Sequence, residues 1–246
     1  MLNHALIVTR KEVADHWRDR RSLVSAVLYA LMGPAVVFMV SLTTHASNVL
    51  IGMMSVFTLV STFVGGMSVA MDVVAGERER RSLLPLLLNP IARRDIVIGK
   101  WLAVSLFAAG GMLVNLLGFA CVLHTARPLL SAAAGLLPLA LLAAALQILI
   151  STECRAAKEA QNYLSMLVFL PMLGGMFQVF HPAAASVWAA VLPVWGQQVQ
   201  LTRSMSGAPV PFAPAGALAC FTAALALLIV EAAAGRLRRD EIVYGD

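Results

Sequence analysis

SLVSAVLYALMGPAVVFMVSLTTHASNVLIGMMSVFTLVSTFVGGMSVAM, from Ser22 to Met71, runs for 50 residues without one Asp, Glu, Lys or Arg. A membrane-spanning helix needs roughly 20 predominantly apolar residues, so this stretch is long enough for two. A polar turn cluster, Thr43-Thr44-His45-Ala46-Ser47-Asn48, divides it near its middle. Four more charge-free runs follow: Trp101–Ala126, Pro128–Thr152, Ala160–Thr202 and Ser204–Val230. The first two and the last accommodate one helix each. The third is punctuated by Pro182, Pro193 and Gly196. Within it Tyr163–His181 is long enough to cross, whereas Ala184–Trp195 has about half the needed length and reads as re-entrant or interfacial. The expectation is an all-α integral membrane protein with six transmembrane helices, at about 23–43, 50–73, 101–123, 131–151, 163–181 and 212–234. They form one domain over 22–246, preceded by an interfacial helix over 1–21.

Composition points the same way. The 246 residues are 60% hydrophobic and only 13% charged, with a mean hydropathy of +0.83. Soluble domains carry about 25% charged residues, so a soluble enzyme is excluded as the default class. With both termini in the cytoplasm, all of the 18 Lys and Arg residues except Arg127 and Arg203 fall on the cytoplasmic side. That satisfies the positive-inside rule at every loop. A crossing by the Ala184 segment would put the basic tail after Gly235 outside, which favours the re-entrant reading. The net charge of +5 follows from this bias and from anionic inner-leaflet lipid, so membrane lipid and not nucleic acid is the expected partner. The first 21 residues are too polar for a cleavable signal peptide. Cys121, Cys154 and Cys220 are odd in number and suggest neither a disulfide framework nor a metal site.

Residues 2–21, LNHALIVTRKEVADHWRDRR, read as an amphipathic helix on the inner membrane surface. Leu2, Leu6, Val13 and Trp17 fall near one face, with Arg10, Lys11, Asp15 and Arg18 free to reach water or headgroups. The most informative stretch is GERERRSLLPLLLNPIARRDIVIGK, Gly76–Lys100, between the second and third spans. It is longer than the 2–8 residues that commonly join helices. Leu83, Leu84, Leu86, Leu87 and Leu88 form an apolar block between the Glu77–Arg81 and Arg93–Asp95 charge clusters, and Pro85 and Pro90 cut it into short pieces. A leucine block so confined either lies in the membrane surface or fills a groove on another protein, which makes the loop a candidate docking site.

Inside the spans there is little chemistry. Asp72 and Glu231 are the only carboxylates within the expected helices, both near inner ends, where they can carry an ion or reach headgroups and Arg partners. Asn115, Gln147 and Gln178 can line a pathway or hydrogen-bond between helices. The Gly pairs 65–66, 110–111 and 174–175 allow close helix approach or a moving interface. His45, His124 and His181 fall at outer helix ends with no carboxylate or cysteine nearby to complete a metal site. The sequence has no phosphate loop: its one Gly-Lys pair, Gly99-Lys100, has Arg94 where the first glycine belongs. Zinc, nucleophile-elbow and dinucleotide motifs are also lacking, so no cofactor and no catalytic residue is expected in this chain.

The Gly76–Lys100 loop resembles the motif between the second and third spans of type-2 ABC exporter permeases, with Gly76, Glu77, Glu79, Leu83, Leu87, Pro90, Arg93, Gly99 and Lys100 at matching positions. RKEVADHWRDRRS, Arg10–Ser22, and LPVWGQQVQLTRSMSG, Leu192–Gly207, are similar to segments of its sodium-efflux branch. The resemblance implies a permease subunit in a bacterial-type inner membrane, paired with a second copy of itself or a homologous permease. Mg-ATP would be hydrolysed by a separate ABC ATPase subunit. It further implies that the 76–100 loop is the coupling helix, with Glu77, Glu79, Arg80, Arg81, Leu83, Leu87, Pro90, Arg93 and Arg94 serving ATPase docking. The interfacial helix would contribute Lys11, Glu12, Trp17, Arg18, Arg20 and Arg21. One departure concerns cargo: sodium-efflux relatives often carry a large insertion between the first two spans, and here the connection is about six residues. That and the apolar spans favour a hydrophobic or amphiphilic cargo over a bare ion. The competing class is an ion-coupled secondary transporter using Asp72 and Glu231.

Overall fold

A computed structural model describes residues 2–43, 47–82, 92–123, 127–180 and 191–237, without the side chains of 2, 3, 47, 48, 127–132 and 177–180. Every regular element among them is helical. They are α1 (Leu2–Arg18), α2 (Arg20–Ser41), α3 (Ser47–Ala70), α4 (Arg93–Leu123), α5 (Arg127–Glu153), α6 (Ala157–Phe180), α7 (Trp195–Met205) and α8 (Phe212–Arg236). Helix α3 continues without a break into a π-helix, Met71–Gly76, and a last α-turn, Glu77–Glu79. Five helices are long and apolar enough to cross a membrane: Arg20–Ser41, Val49–Glu79, Arg93–Leu123, Ala133–Glu153 and Phe212–Arg236. Helix α6 occupies the position of the fifth expected span. The chain is an integral membrane protein. Most of the expected re-entrant segment, residues 184–190, lies outside the described residues. Beyond it comes an 11-residue helix, α7, that no hydrophobic pattern announced; at 1.5 Å per residue it is far too short to cross.

Helix α3 runs through the middle of the bundle, against α2, α4, α5 and α6. Between apolar helices in lipid, association rests on close packing and interhelical hydrogen bonds, because lipid tails are as apolar as leucine. The α3–α4 crossing shows both. Gly65 and Gly111 meet so closely that a Cβ on Gly111 would stand 2.9 Å from the Gly65 Cα, and the Ser61 hydroxyl donates to the Gly111 carbonyl at 2.9 Å. Pro34 explains a second tie. Lacking an N–H, it leaves the Ala30 carbonyl without its helical donor, and Asn115 Nδ2 donates to that oxygen at 2.8 Å. The Asn115 Oδ1 accepts from Thr58 at 3.0 Å, so one amide joins α2, α3 and α4. Gln147 reaches the Phe63 carbonyl in the same manner. Asn115 and Gln147 are 1% and 0% exposed, and in this conformation both join helices within the chain.

Helix α1 seats on the bundle through a face other than the one expected to meet the membrane surface. The face of α1 that packs on α4 is Ala5, Val8, Thr9 and Glu12, whereas Leu6 and Trp17 are 53% and 69% exposed. The small residues face inward because the opposing residue is Gly99. A Cβ there would lie 2.6 Å from the Val8 Cβ, so the two backbones nearly touch, and the Thr9 hydroxyl donates to the Gly99 carbonyl at 3.0 Å. The larger apolar side chains lie about a quarter turn away, on the outward side of α1.

Candidate functional site

The charged residues of the sequence gather at one end of the bundle, and its centre is Lys100. This lysine is 1% exposed and follows directly on Gly99, so the contact that seats α1 also carries the ammonium beneath it. Its Nζ lies 2.7 Å from Glu77 Oε2 and 3.2 Å from Glu12 Oε1, and donates to the Val73 carbonyl in the π-helix. Both carboxylates are buried. Lys11, half-exposed, lies 3.3 Å from Glu12 and 3.5 Å from Glu77, so two positive charges face two negative ones. A buried charge is tolerated only when paired and hydrogen-bonded, and this group meets that condition. Partial burial by itself would lower the Lys11 ammonium, but Glu12 and Glu77 outweigh it and hold it above the ordinary lysine range.

The turn Glu77–Glu79 and the residue after it reach in four directions. Glu77 points to Lys100 and α1. Arg78 donates to the Cys154 carbonyl at the end of α5, at 3.3 Å. Glu79 accepts from the backbone N–H of Ala157 at 2.9 Å, placing a carboxylate at the N-terminus of α6, where the helix dipole favours it. Arg80 reaches back to Asp72 at 3.5 Å. A single turn thereby touches α1, α4, α5 and α6. Burial pushes the Cys154 thiol up, and Glu159 and Glu153 push it the same way, so this cysteine stays a protonated packing group.

The turn ends on a Schellman motif. The N–H of Ser82 bonds the Glu77 carbonyl at 2.9 Å and that of Arg81 bonds the Arg78 carbonyl at 3.0 Å. The left-handed position is filled by Arg81, at φ 57°, where glycine is usual. The chain leaves the bundle here with Arg80, Arg81 and Ser82 exposed. Across the loop, Arg93 donates to the Leu237 carbonyl at 2.9 Å, Arg94 Nε bonds Glu231 at 2.6 Å, and Arg236 pairs with Glu153. These contacts tie α8 to α4 and α5.

The sequence-derived candidates thus separate. Glu77, Lys11 and Glu12 come together, Glu79 goes to the start of α6, Arg93 and Arg94 form a second group, and Arg80 and Arg81 are exposed. Trp17, Arg18, Arg20 and Arg21 are exposed. Leu83, Leu87 and Pro90, with His45, His124 and His181, lie outside the described residues, as does the Gln178 side chain. Asp72 and Glu231 each pair with an arginine at the charged end of the bundle. Lys100 stood in the sequence only as a matching motif position, with no site role attached to it. The usable signal was the glycine before it, which brings α1 close enough to bury it.

A groove of about 470 Å³ opens between α2, α3 and α6. Ser25, Ser68, Gln161 and Ser165 line it towards the charged end, and Tyr29 and Met172 line it farther along. Its wall is polar at one end and apolar at the other.

Comparison with known proteins agrees with this architecture. The family model described as ABC-2 family transporter protein matches residues 36–202. The chain is 38% identical over 140 residues to the ABC transporter permease protein NatB of Bacillus subtilis (strain 168), covering 51% of this chain and 36% of that protein. It is 32% identical over 119 residues to the probable ABC transporter permease protein NosY of Pseudomonas aeruginosa, covering 46% of this chain and 42% of that protein. The NosY protein of Stutzerimonas stutzeri is 26% identical over 126 residues, covering 49% and 44%. The matched stretches therefore span well under two thirds of these relatives. With the family model covering most of the chain and helices of spanning length throughout it, the chain belongs to the ABC-2 transporter family.

Proposed function

We propose that this chain is the permease subunit of an ATP-driven exporter. Two six-span halves would form the pathway, and a separate ATPase would dock at the charged end, on the cytoplasmic side. Helix α6 supplies the sixth crossing: its 24 residues extend about 36 Å, enough for a hydrocarbon core of about 30 Å. The observation that carries the reading is the turn Glu77–Glu79, from which the 83–91 loop departs. A pull on that loop reaches α1, α4, α5 and α6 at once through hydrogen bonds and ion pairs. Arg80 and Arg81, exposed beside it, offer the ATPase fixed positive charge. The groove between α2, α3 and α6, polar at one end and apolar at the other, supports an amphiphilic cargo.

The test uses the chain reconstituted with a candidate ABC ATPase subunit from the same source. Replacing Arg80 and Arg81 together by Glu is expected to lower permease-stimulated ATP hydrolysis at least tenfold while leaving thermal stability in place. Unchanged stimulation would remove the loop from the mechanism. Transport by the chain alone, driven only by an ion gradient, would favour the secondary-transporter class. That class has to use Asp72 and Glu231, which here are each occupied by an arginine.

A further inference from the structure

At the far end of the bundle, α7 is held in a way that no other helix shares. It starts from Val194, at φ 73° and ψ −56°, a γ-turn geometry that is rare and strained, and more so for a β-branched residue. It is followed by Gly207, at φ 73°, with no atom within 4 Å of where a Cβ would stand. Helix α7 packs on α5, α3 and α6. Trp195 Nε1 donates to the Gly174 carbonyl at 2.9 Å, and a Cβ on Gly175 would come 2.9 Å from Gln198 Nε2 and into contact with Val56. The opposite flank borders a cleft of about 370 Å³ shared with α5 and α8, whose walls there are the small residues Ala134, Gly135, Ala215 and Gly216.

The two adjacent glutamines of α7 differ sharply. Gln197 Oε1 accepts from the Val194 N–H at 2.6 Å and its Nε2 donates to Thr222 at 2.7 Å. Gln198 is equally buried, at 1% exposure, yet neither its Nε2 nor its Oε1 has a hydrogen-bond partner among the described residues. An amide left wholly unpaired in an apolar seat raises the free energy of that seat. We infer that Gln198 is a residue of the translocation pathway, concealed in this conformation. Helix α7 moves off α3 and α6 into the α5–α8 cleft during the cycle, and the Gln198 amide then meets water or the polar part of the cargo. The strained backbone at Val194 supplies a joint for that movement, and the cleft supplies the room. The unpaired amide makes the seated state reversible by a modest bias, since a few-fold change in affinity between two states shifts their populations in proportion.

This inference rests on the exporter reading, and its test separates the two. In a background with Cys121, Cys154 and Cys220 replaced by Ser, Gln198→Cys is placed in the complex with its ATPase in nanodiscs and exposed to a hydrophilic maleimide. Labelling is expected to run at least tenfold faster with Mg-ATP than without, while an Asn115→Cys control stays slow under both conditions. Equal rates for Gln198→Cys, in a preparation whose ATPase is stimulated by the permease, overturn the inference and leave the exporter reading standing. Absence of stimulation defeats the exporter reading instead. The isolated chain then decides through Gln198→Met, which keeps the volume and removes the unpaired groups. Its Tm is expected to rise by about 2–4 °C, and an unchanged or lower Tm overturns the inference.

Discussion

The two ends of the bundle treat buried polarity in opposite ways. At the charged end Lys100 is enclosed by Glu12, Glu77 and the Val73 carbonyl, and Lys11 completes the neutralisation. At the far end Gln198 is enclosed by Val56 and Gly175 with nothing to bond, on a helix that starts from a strained residue. Satisfied buried charges lock elements together, because breaking any one pair leaves another charge stranded. An unsatisfied amide leaves its helix with something to gain by moving. In the proposed exporter the first region transmits and the second is displaced. A stiff joint passes on a pull without absorbing it, and a loosely held one yields to it.

The comparison breaks most easily at Lys100. Lys100→Met strands two buried carboxylates and is expected to cost about 3–5 kcal/mol, seen as a large fall in Tm in detergent. Adding Glu12→Gln and Glu77→Gln is expected to recover most of that loss. A small effect of Lys100→Met alone would mean that the charged end is not locked. A smaller change sharpens the same point. Arg81→Gly relieves the left-handed position and is expected to stabilise the chain by about 1 kcal/mol, while weakening association with the ATPase in a pull-down. Stabilisation without weakened association would remove Arg81 from the docking surface.

The smallest expected effect concerns pH. Lys11 is held above the ordinary lysine range, so its contribution is fully present below the unfolded value of about 10.4. It is lost only as pH rises through the higher folded value. The Tm difference between the native chain and Lys11→Met is therefore expected to be flat from pH 6 to pH 9 and to shrink only in strong alkali. A difference that changed near neutrality would mean that another group governs the joint.

Much of the fold was legible because lipid imposes a simple rule. Runs such as Ser22–Met71 have to become helices, and α2 and α3 occupy that stretch. The joint at Lys100 was not legible, since Glu12 and Lys100 are 88 residues apart and nothing in either neighbourhood marks them as partners. The face of α1 that seats on α4 was equally silent in the sequence. Hydrophobicity selects Leu6 and Trp17, but a helix resting on Gly99 needs small residues, and Ala5 and Thr9 meet that need. Helix α7 escaped notice because Gln197, Gln198, Gln200 and Arg203 give it no apolar stripe. The motif residues Gly76, Glu77 and Glu79 suggested a docking surface, whereas Glu77 forms an internal hub.

The π-helix at Met71–Gly76 has a consequence for how this chain tolerates change in length. A helical residue advances the side-chain direction by about 100°, so the added residue of the wider turn determines that Glu77 looks inward while Arg80 looks out. Removing one residue there would leave the span nearly as long as before. It would nevertheless swing the whole Glu-Arg-Glu-Arg sector around its axis, trading the lysine's counter-ion for an arginine. Among all positions in the second crossing, this short stretch is where a single-codon deletion would be read as a change of wiring.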